Sequence, residues 1–360
     1  MKEQTLIIVL YVKRAYERTH SKSDRAGLLD KHCGRQTLNV LIAAHLESEA
    51  RDAIDRLASG CGLVNTHWRE FTDRELQDFD VLFIGWGWNR TEALYDLVAR
   101  CKNVKLLQTL SAGVDYIRFS SIPETITVCS NAGAYSEPVA EHAFALIMSL
   151  AKNIKANEAM MRQGIFDNKA RSLELEGATL GVFGFGGIGR EVANIGKALG
   201  MRIFAVSRNK PQEEGVDFFR TPDGIDDMLQ TSDVVVIASP LTKQTRSLFS
   251  KSKLEIMKKD AVLVNVARGR IIVENDLYEH LKENPGFRAG IDTWWNEPAE
   301  SSKFTPGHDF LSLPNFAGSP HNSGAVAGTG RRSLIRAYEN VVRYAQGKKP
   351  HNIVNRADYL

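Results

Sequence analysis

Between residues 179 and 200 the chain runs from a short apolar stretch straight into a glycine-rich turn and then into an amphipathic segment. The turn is Gly184-Phe185-Gly186-Gly187-Ile188-Gly189, and Val192, Ile195 and Leu199 follow at helical spacing. A G-x-G-x-x-G turn placed between strand and helix is the fingerprint of a dinucleotide site in an open α/β sheet. Gly184 permits the tight turn, Gly186 lets a pyrophosphate approach the backbone, and Gly189 allows the helix to lie close on the strand. Gly187 and Ile188 open the helix, whose free N–H groups and positive dipole end suit the phosphates.

The flanking sequence repeats this alternation. Apolar runs at Leu38 to Ala44, Val81 to Gly85, Val104 to Leu110 and Thr127 to Cys129 predict strands. Segments from Glu47 to Ser59, Arg90 to Cys101 and Gly113 to Phe119 read as helical. A long helix is expected from Pro138 to Ile154, with Ser136 as its cap. A second set of strands follows at Thr179 to Gly184, Arg202 to Ser207, Val234 to Ala238, Ala261 to Val266 and Arg288 to Ile291, with a short apolar stretch at Asn315 to Gly318. The last helix is expected over Ala325 to Gln346. Such βαβ alternation over 360 residues predicts an α/β protein of two domains with parallel sheets.

The second strand of a dinucleotide fold often ends in an acid that binds the adenosine ribose of NAD. Here Ser207 stands at that place, 23 residues after Gly184, and Arg208, Asn209 and Lys210 follow it. A guanidinium binds a 2′-phosphate bidentately, where a carboxylate would repel it. NADP(H) is therefore favoured, with NAD(H) possible.

Three strand ends then carry reactive side chains. Ala261 to Val266 leads into Ala267-Arg268-Gly269, Arg288 to Ile291 leads into Asp292 and Glu297-Pro298, and the last apolar stretch leads into Pro320-His321. At the carboxyl edge of one sheet, an Arg can hold an anionic substrate, a His can exchange a proton with its oxygen, and a Glu can orient the imidazole.

With these motifs the chain resembles the D-isomer-specific 2-hydroxyacid dehydrogenases over residues 37 to 350. The resemblance rests on the Gly184 fingerprint, Ala238-Ser-Pro-Leu-Thr242 with Thr245, and Asn265-Val-Ala-Arg268-Gly269. It also rests on Asp292 with Glu297-Pro298, Ser319-Pro-His321, the Leu110-Ser-Ala-Gly-Val-Asp115 turn and Val139-Ala-Glu-His142. It implies a Rossmann-type doubly wound cofactor domain over 136–321 and a discontinuous flavodoxin-like catalytic domain over 37–135 and 322–360. It also implies that Arg268 binds the carboxylate and carbonyl of a 2-oxo acid, that His321 is the acid/base and that Glu297 is its partner. The backbone of Ala112 and Gly113 would hold the substrate carboxylate. Pro240, Thr245, Ala267 and Asp292 would line the coenzyme site, with Asp292 on the nicotinamide amide. Members are typically homodimers joined through the cofactor domain, and hinges are expected near Ala132 to Ser136 and His321 to Gly324.

Residues 1–36 have no counterpart in the family and are taken as an extension of unknown status. They carry eight Lys or Arg against four Asp or Glu, so a net charge of +3 leaves the other 324 residues near −1. No nucleic-acid footprint is expected on such a body. The stretch Leu6 to Val12 is too short to span a bilayer, so no membrane association is expected. Cys33, Cys61, Cys101 and Cys129 show no metal-ligand spacing, which fits a reduced, cytoplasmic protein without a metal site.

Glu297 speaks against formate dehydrogenase, which resembles the family but has Gln there, and the 39 residues after His321 leave no room for a regulatory domain. Glyoxylate or hydroxypyruvate is the expected substrate. Phosphoglycerate or another D-2-hydroxyacid dehydrogenase, and a dinucleotide-sensing corepressor-like protein, are the alternatives. Trp86, Trp88, Trp294 and Trp295 either shape the substrate pocket or pack at the domain junction.

Overall fold

The computed structural model describes residues 37–44, 48–67, 75–85, 92–210, 215–298 and 302–360. The 1–36 extension, Trp86 and Trp88 lie outside the described residues. The first of two parallel sheets contains β1 (Leu38–Ala43), β2 (Val64–His67), β3 (Val81–Ile84), β4 (Leu106–Thr109) and β5 (Thr127–Cys129). Its order is β2-β1-β3-β4-β5, the flavodoxin-like winding. The second contains β6 (Thr179–Phe183), β7 (Arg202–Val206), β8 (Phe218–Arg220), β9 (Val234–Ile237), β10 (Val262–Asn265), β11 (Arg288–Ile291) and β12 (Phe316–Gly318). The order β12-β11-β10-β9-β6-β7-β8 is that of a Rossmann fold, with its switch point between β6 and β9. The expected α/β class, with one sheet of each kind, is what the chain adopts.

Every residue of β6, β9 and β10 is buried, because helices cover both faces of a parallel sheet and the strand must be apolar throughout. The helix Ser136–Ala151 takes the chain from the first sheet to the second and packs on the helix Gly187–Ala198. The chain returns after β12. The helix Thr329–Ala345 then buries Leu334, Ala337, Tyr338 and Val341 against the first sheet. A carboxy-terminal arm follows, tied to β5 by Ser130 N–H to Asn352 C=O at 3.0 Å and Val354 N–H to Val128 C=O at 2.9 Å.

Several local expectations need correction. Residues 113–119 form a single turn, closed by Ile117 N–H on Val114 C=O, because the next N–H, that of Arg118, is taken by the Tyr95 hydroxyl at 2.7 Å. Ser136 does not cap its helix: the carbonyl of Tyr135 accepts the first helical bond from Val139, and Ser136 is already the first helical residue. That helix stops at Ala151, and a separate one, Ile154–Arg162, begins after Asn153 at φ +53°. The last helix starts at Thr329, after Gly328 at φ +79°, rather than at Ala325.

Candidate active site

Strands β10, β11 and β12 are parallel neighbours, so the segments that leave their carboxyl ends emerge side by side. Arg268 follows β10. Asn265, the last residue of that strand, fixes the turn by accepting from Ala267 N–H at 3.0 Å and donating to Arg268 C=O at 2.8 Å. The Arg268 side chain then reaches the first sheet's lobe. Its Nε donates to Asp115 Oδ1 at 3.0 Å and its Nη1 to the Ala267 carbonyl at 2.7 Å. Its Nη2 lies so close to Gly113 that a Cβ there would overlap it. Arg268 and Gly113 are thus brought together across the two lobes, with Nη2 on the Gly113 side.

His321 and Glu297 form the second half of the cluster. His321 Nδ1 stands 2.8 Å from Glu297 Oε1, and the same oxygen accepts the Trp294 N–H at 3.1 Å. This arrangement leaves Nε2 of the imidazole for another partner. His321 sits at φ +51°, a left-handed conformation that costs a non-glycine residue about 1–2 kcal/mol. Its own N–H on Asp292 C=O at 2.9 Å, with the next N–H, of Asn322, on Asp292 Oδ1 at 3.2 Å, holds it there. Burial pushes the Glu297 carboxyl up. The hydrogen bond and charge of His321, the Trp294 N–H and the charge of Arg268 outweigh burial and hold it below the ordinary carboxylate value. Arg268, Glu297 and His321 therefore share one electrostatic neighbourhood.

The glycine-rich turn has the form its sequence predicts. Gly184 adopts φ +96°, and a Cβ on it would sit 2.5 Å from Ser239 N. A Cβ on Gly189 would overlap the Gly184 carbonyl oxygen, so the helix can approach only without one. Gly186, by contrast, faces open space, so its backbone is open to close approach. Gly187 and Ile188 begin the helix. Along the adenosine side, Ser207 is half-buried and donates to Asn209 C=O at 2.6 Å, while Arg208, Asn209 and Lys210 are exposed. The facing loop is braced by Thr245, whose hydroxyl donates to Pro240 C=O at 2.7 Å and accepts from Thr242 N–H at 2.8 Å.

Residues 144–323 match the family model described as "D-isomer specific 2-hydroxyacid dehydrogenase, NAD binding domain". The glyoxylate reductase of Aeropyrum pernix is 34% identical over 270 residues, which cover 72% of this chain and 79% of that protein. The chain belongs to the D-isomer-specific 2-hydroxyacid dehydrogenase family. The hydroxypyruvate reductase of Thermotoga maritima is 30% identical, covering 83% of this chain and 98% of that protein. The chain also matches the D-3-phosphoglycerate dehydrogenase of Methanocaldococcus jannaschii at 31% identity, over 78% of its own length and 52% of that protein's. Among solved structures, one from Pyrobaculum aerophilum, described only provisionally as a formate dehydrogenase, superposes with a TM-score of 0.75. It is 28% identical and covers 90% of this chain and 100% of its own.

As a 2-hydroxyacid dehydrogenase the protein is an NAD(P)-dependent oxidoreductase acting on a CH–OH group. Its own residues fit a nicotinamide dinucleotide. Asp292 is fully buried just after β11, and its Oδ2 has no hydrogen-bond partner among the described residues, whereas Oδ1 accepts from the Ser319 hydroxyl at 2.6 Å. A buried carboxylate oxygen without a donor calls for one, and a carboxamide N–H has that chemistry.

Trp294 and Trp295 pack inside the second sheet's lobe. Both are buried in an aromatic cluster of the dehydrogenase's second lobe with Phe310, and their indole N–H groups are taken by Ser319 C=O and Ile272 C=O. Four residues of the site were not singled out from sequence: Asp115 and Asn265 around Arg268, and Ser319 and His142 around Asp292. His142 Nε2 lies 2.7 Å from the Ser319 hydroxyl and 3.6 Å from Asp292 Oδ1. Asp115, Asn265, Ser319 and His142 all fall within quoted motifs, and that membership was the available signal.

Proposed function

We propose that the protein reduces a small 2-oxo acid to the D-2-hydroxy acid with NADPH, glyoxylate and hydroxypyruvate being the first substrates to consider. The observation that carries this reading is the His321–Glu297 pair at 2.8 Å beside Arg268. The coenzyme, when bound, supplies the hydride for the carbonyl carbon. Arg268 Nη2, with the N–H groups of Ala112 and Gly113, binds the substrate carboxylate and carbonyl and stabilises negative charge growing on the carbonyl oxygen. His321 gives that oxygen its proton from Nε2, and Glu297 holds the ring and its charged form. The names of the A. pernix and T. maritima relatives support the substrate choice, and Ser207-Arg208 in place of an acid supports NADPH.

The test is loss of reduced-nicotinamide absorbance with NADPH and NADH, against glyoxylate, hydroxypyruvate, pyruvate, phenylpyruvate and 3-phosphohydroxypyruvate. NADPH-driven turnover of the first two, abolished in His321→Ala, is the expected result. Preference for the phosphorylated substrate would move the reading to a phosphoglycerate dehydrogenase, and preference for NADH would discard the coenzyme choice.

A homodimer joined through the second lobe belongs to the same reading. Its support is the helix Ile154–Arg162, which buries none of its residues, and the exposure of Ile154, Met161 and Phe166 at 57%, 62% and 79%. Light scattering should give twice the chain mass, and the chain mass for Phe166→Asp; a monomeric parent protein would end this part of the reading. Free thiols at Cys61, Cys101 and Cys129 support a reducing, cytoplasmic setting, and among the described residues no helix is long and apolar enough to cross a membrane.

A further inference from the structure

Arg208, at the adenosine end of the coenzyme site, already has an anionic partner from the other lobe. Its Nη1 stands 2.7 Å from Oδ2 of Asp358, a residue of the carboxy-terminal arm 150 positions away. Asp358 is well fixed. Its other carboxylate oxygen accepts from Asn355 Nδ2 at 3.1 Å, its backbone carbonyl accepts from Lys243 N–H at 3.0 Å, and its side chain is 13% exposed. Arg208 is not so confined, with a side chain 64% exposed.

The arm is docked on the first lobe. Arg356 donates to the carbonyls of Ile122, Pro123 and Ile126, and the Tyr359 ring stacks on Phe119 at a centroid distance of 5.0 Å. Burial, then the charges of Asp115 and Asp358, push the Tyr359 hydroxyl up to about 12, with Arg268 and Arg208 pulling the other way. The arm therefore lies within electrostatic reach of both arginines. Asp358 is the point at which it touches the two loops, after β7 and after β9, that flank the adenosine half of a dinucleotide.

We infer that Asp358 is a coenzyme-specificity residue: its carboxylate competes with a 2′-phosphate for Arg208 and narrows the preference for NADP(H) over NAD(H). The inference rests on the reading of Arg208 as the phosphate ligand. A guanidinium held at Nη1 by a fixed carboxylate must be shared with, or released to, an arriving dianion, and the two anions repel at that distance. A ribose bearing only a hydroxyl brings no charge into this contest. Asp358 thus acts on one coenzyme and hardly on the other, although it belongs to the lobe that binds the substrate.

Calorimetric titration of the full chain with 2′,5′-ADP and with 5′-AMP reads this without catalysis. Asp358→Asn, which keeps the shape and removes the charge, should raise the affinity ratio of 2′,5′-ADP to 5′-AMP by about two- to fivefold at low salt, the gain shrinking as salt is added. The kcat/KM ratio of NADPH to NADH should move the same way. Arg208→Ala should lower both ratios. Arg356→Ala, which loosens the arm and keeps the carboxylate, should raise them by less than Asp358→Asn does.

An unchanged or lowered ratio in Asp358→Asn, with Arg208→Ala behaving as stated, overturns the inference and leaves the coenzyme reading intact. A further rise when Arg356→Ala is added to Asp358→Asn, as large as the rise in Arg356→Ala alone, also overturns it, since displacement of the arm then acts and not the charge. No change in Arg208→Ala overturns the coenzyme reading, and the inference with it.

Discussion

Arg268 Nε and Asp115 Oδ1 meet at 3.0 Å across the cleft between the two lobes, joining the end of β10 to the turn that follows β4. The contact spends one guanidinium nitrogen on orientation. Nη1 is likewise committed to the Ala267 carbonyl, so Nη2 alone is directed to the Gly113 backbone. Two internal bonds fix the plane of the fork, and a planar donor gains specificity from being held before its ligand arrives.

Asp115→Ala should therefore lower kcat/KM for the 2-oxo acid by about tenfold or more, through kcat as well as KM, because the fork is free to turn. Coenzyme affinity, measured by fluorescence titration, should stay within twofold, to within about 0.4 kcal/mol. Asp115→Asn, which still accepts a hydrogen bond, should recover most of the loss. Equal damage in both variants would show that charge and not orientation matters at Asp115.

Gly113→Ala places a methyl group where Arg268 Nη2 now lies. The guanidinium must move, and a displacement near 1 Å at a reacting centre costs about 10²-fold in rate. Steady-state kinetics should show that loss while circular dichroism shows an unchanged fold. Wild-type turnover in Gly113→Ala would mean that Nη2 does not work at this place.

Glu297 sets the pH dependence. Its carboxyl is held below the ordinary value of about 4.3, so its charge persists through the whole neutral range. With His321 as the proton donor of the proposed function, the rate should fall on the basic side, and Glu297→Gln should lower kcat by about 10²-fold. The sign for stability is the opposite limb. A carboxylate whose folded pKa is depressed adds stability above its unfolded pKa and loses it as pH falls through the folded one. Tm measured against pH should fall less steeply in acid for Glu297→Gln than for the parent; parallel curves would count against a stabilising ion pair.

The sequence made the inner strands and the three catalytic candidates easy to find for one reason: each signal is local. β9 and β10 are continuous apolar runs because both their faces are covered, and Arg268 stands just beyond one of them, while Glu297 and His321 follow the short apolar stretches that become β11 and β12. Edge strands do not advertise themselves in that way. Val64–His67 and Phe218–Arg220 have exposed residues within three- or four-residue stretches and pass for loop. The stretch 113–119 has helical spacing but loses its helix to a single long-range hydrogen bond from Arg118 to Tyr95. Asp115 and Asp358 were not legible as partners at all, since they stand 153 and 150 residues from the arginines they meet. Such pairings come from how the lobes lie together, and no window of sequence contains them.

Both arginines of the cleft belong to one lobe and both aspartates to the other, so the protein supplies its own counter-ions. At Arg208 an arriving phosphate would share or replace a carboxylate already there, and at Arg268 a substrate carboxylate would meet a guanidinium whose charge Asp115 already balances in part, so either adds little net charge neutralisation. Affinity for anionic ligands should then vary with ionic strength less steeply than two arginines alone would dictate. Release of Asp358 from Arg208 would loosen an ion pair between the lobes, so occupancy of the adenosine end and the freedom of the two walls to move would be chemically linked.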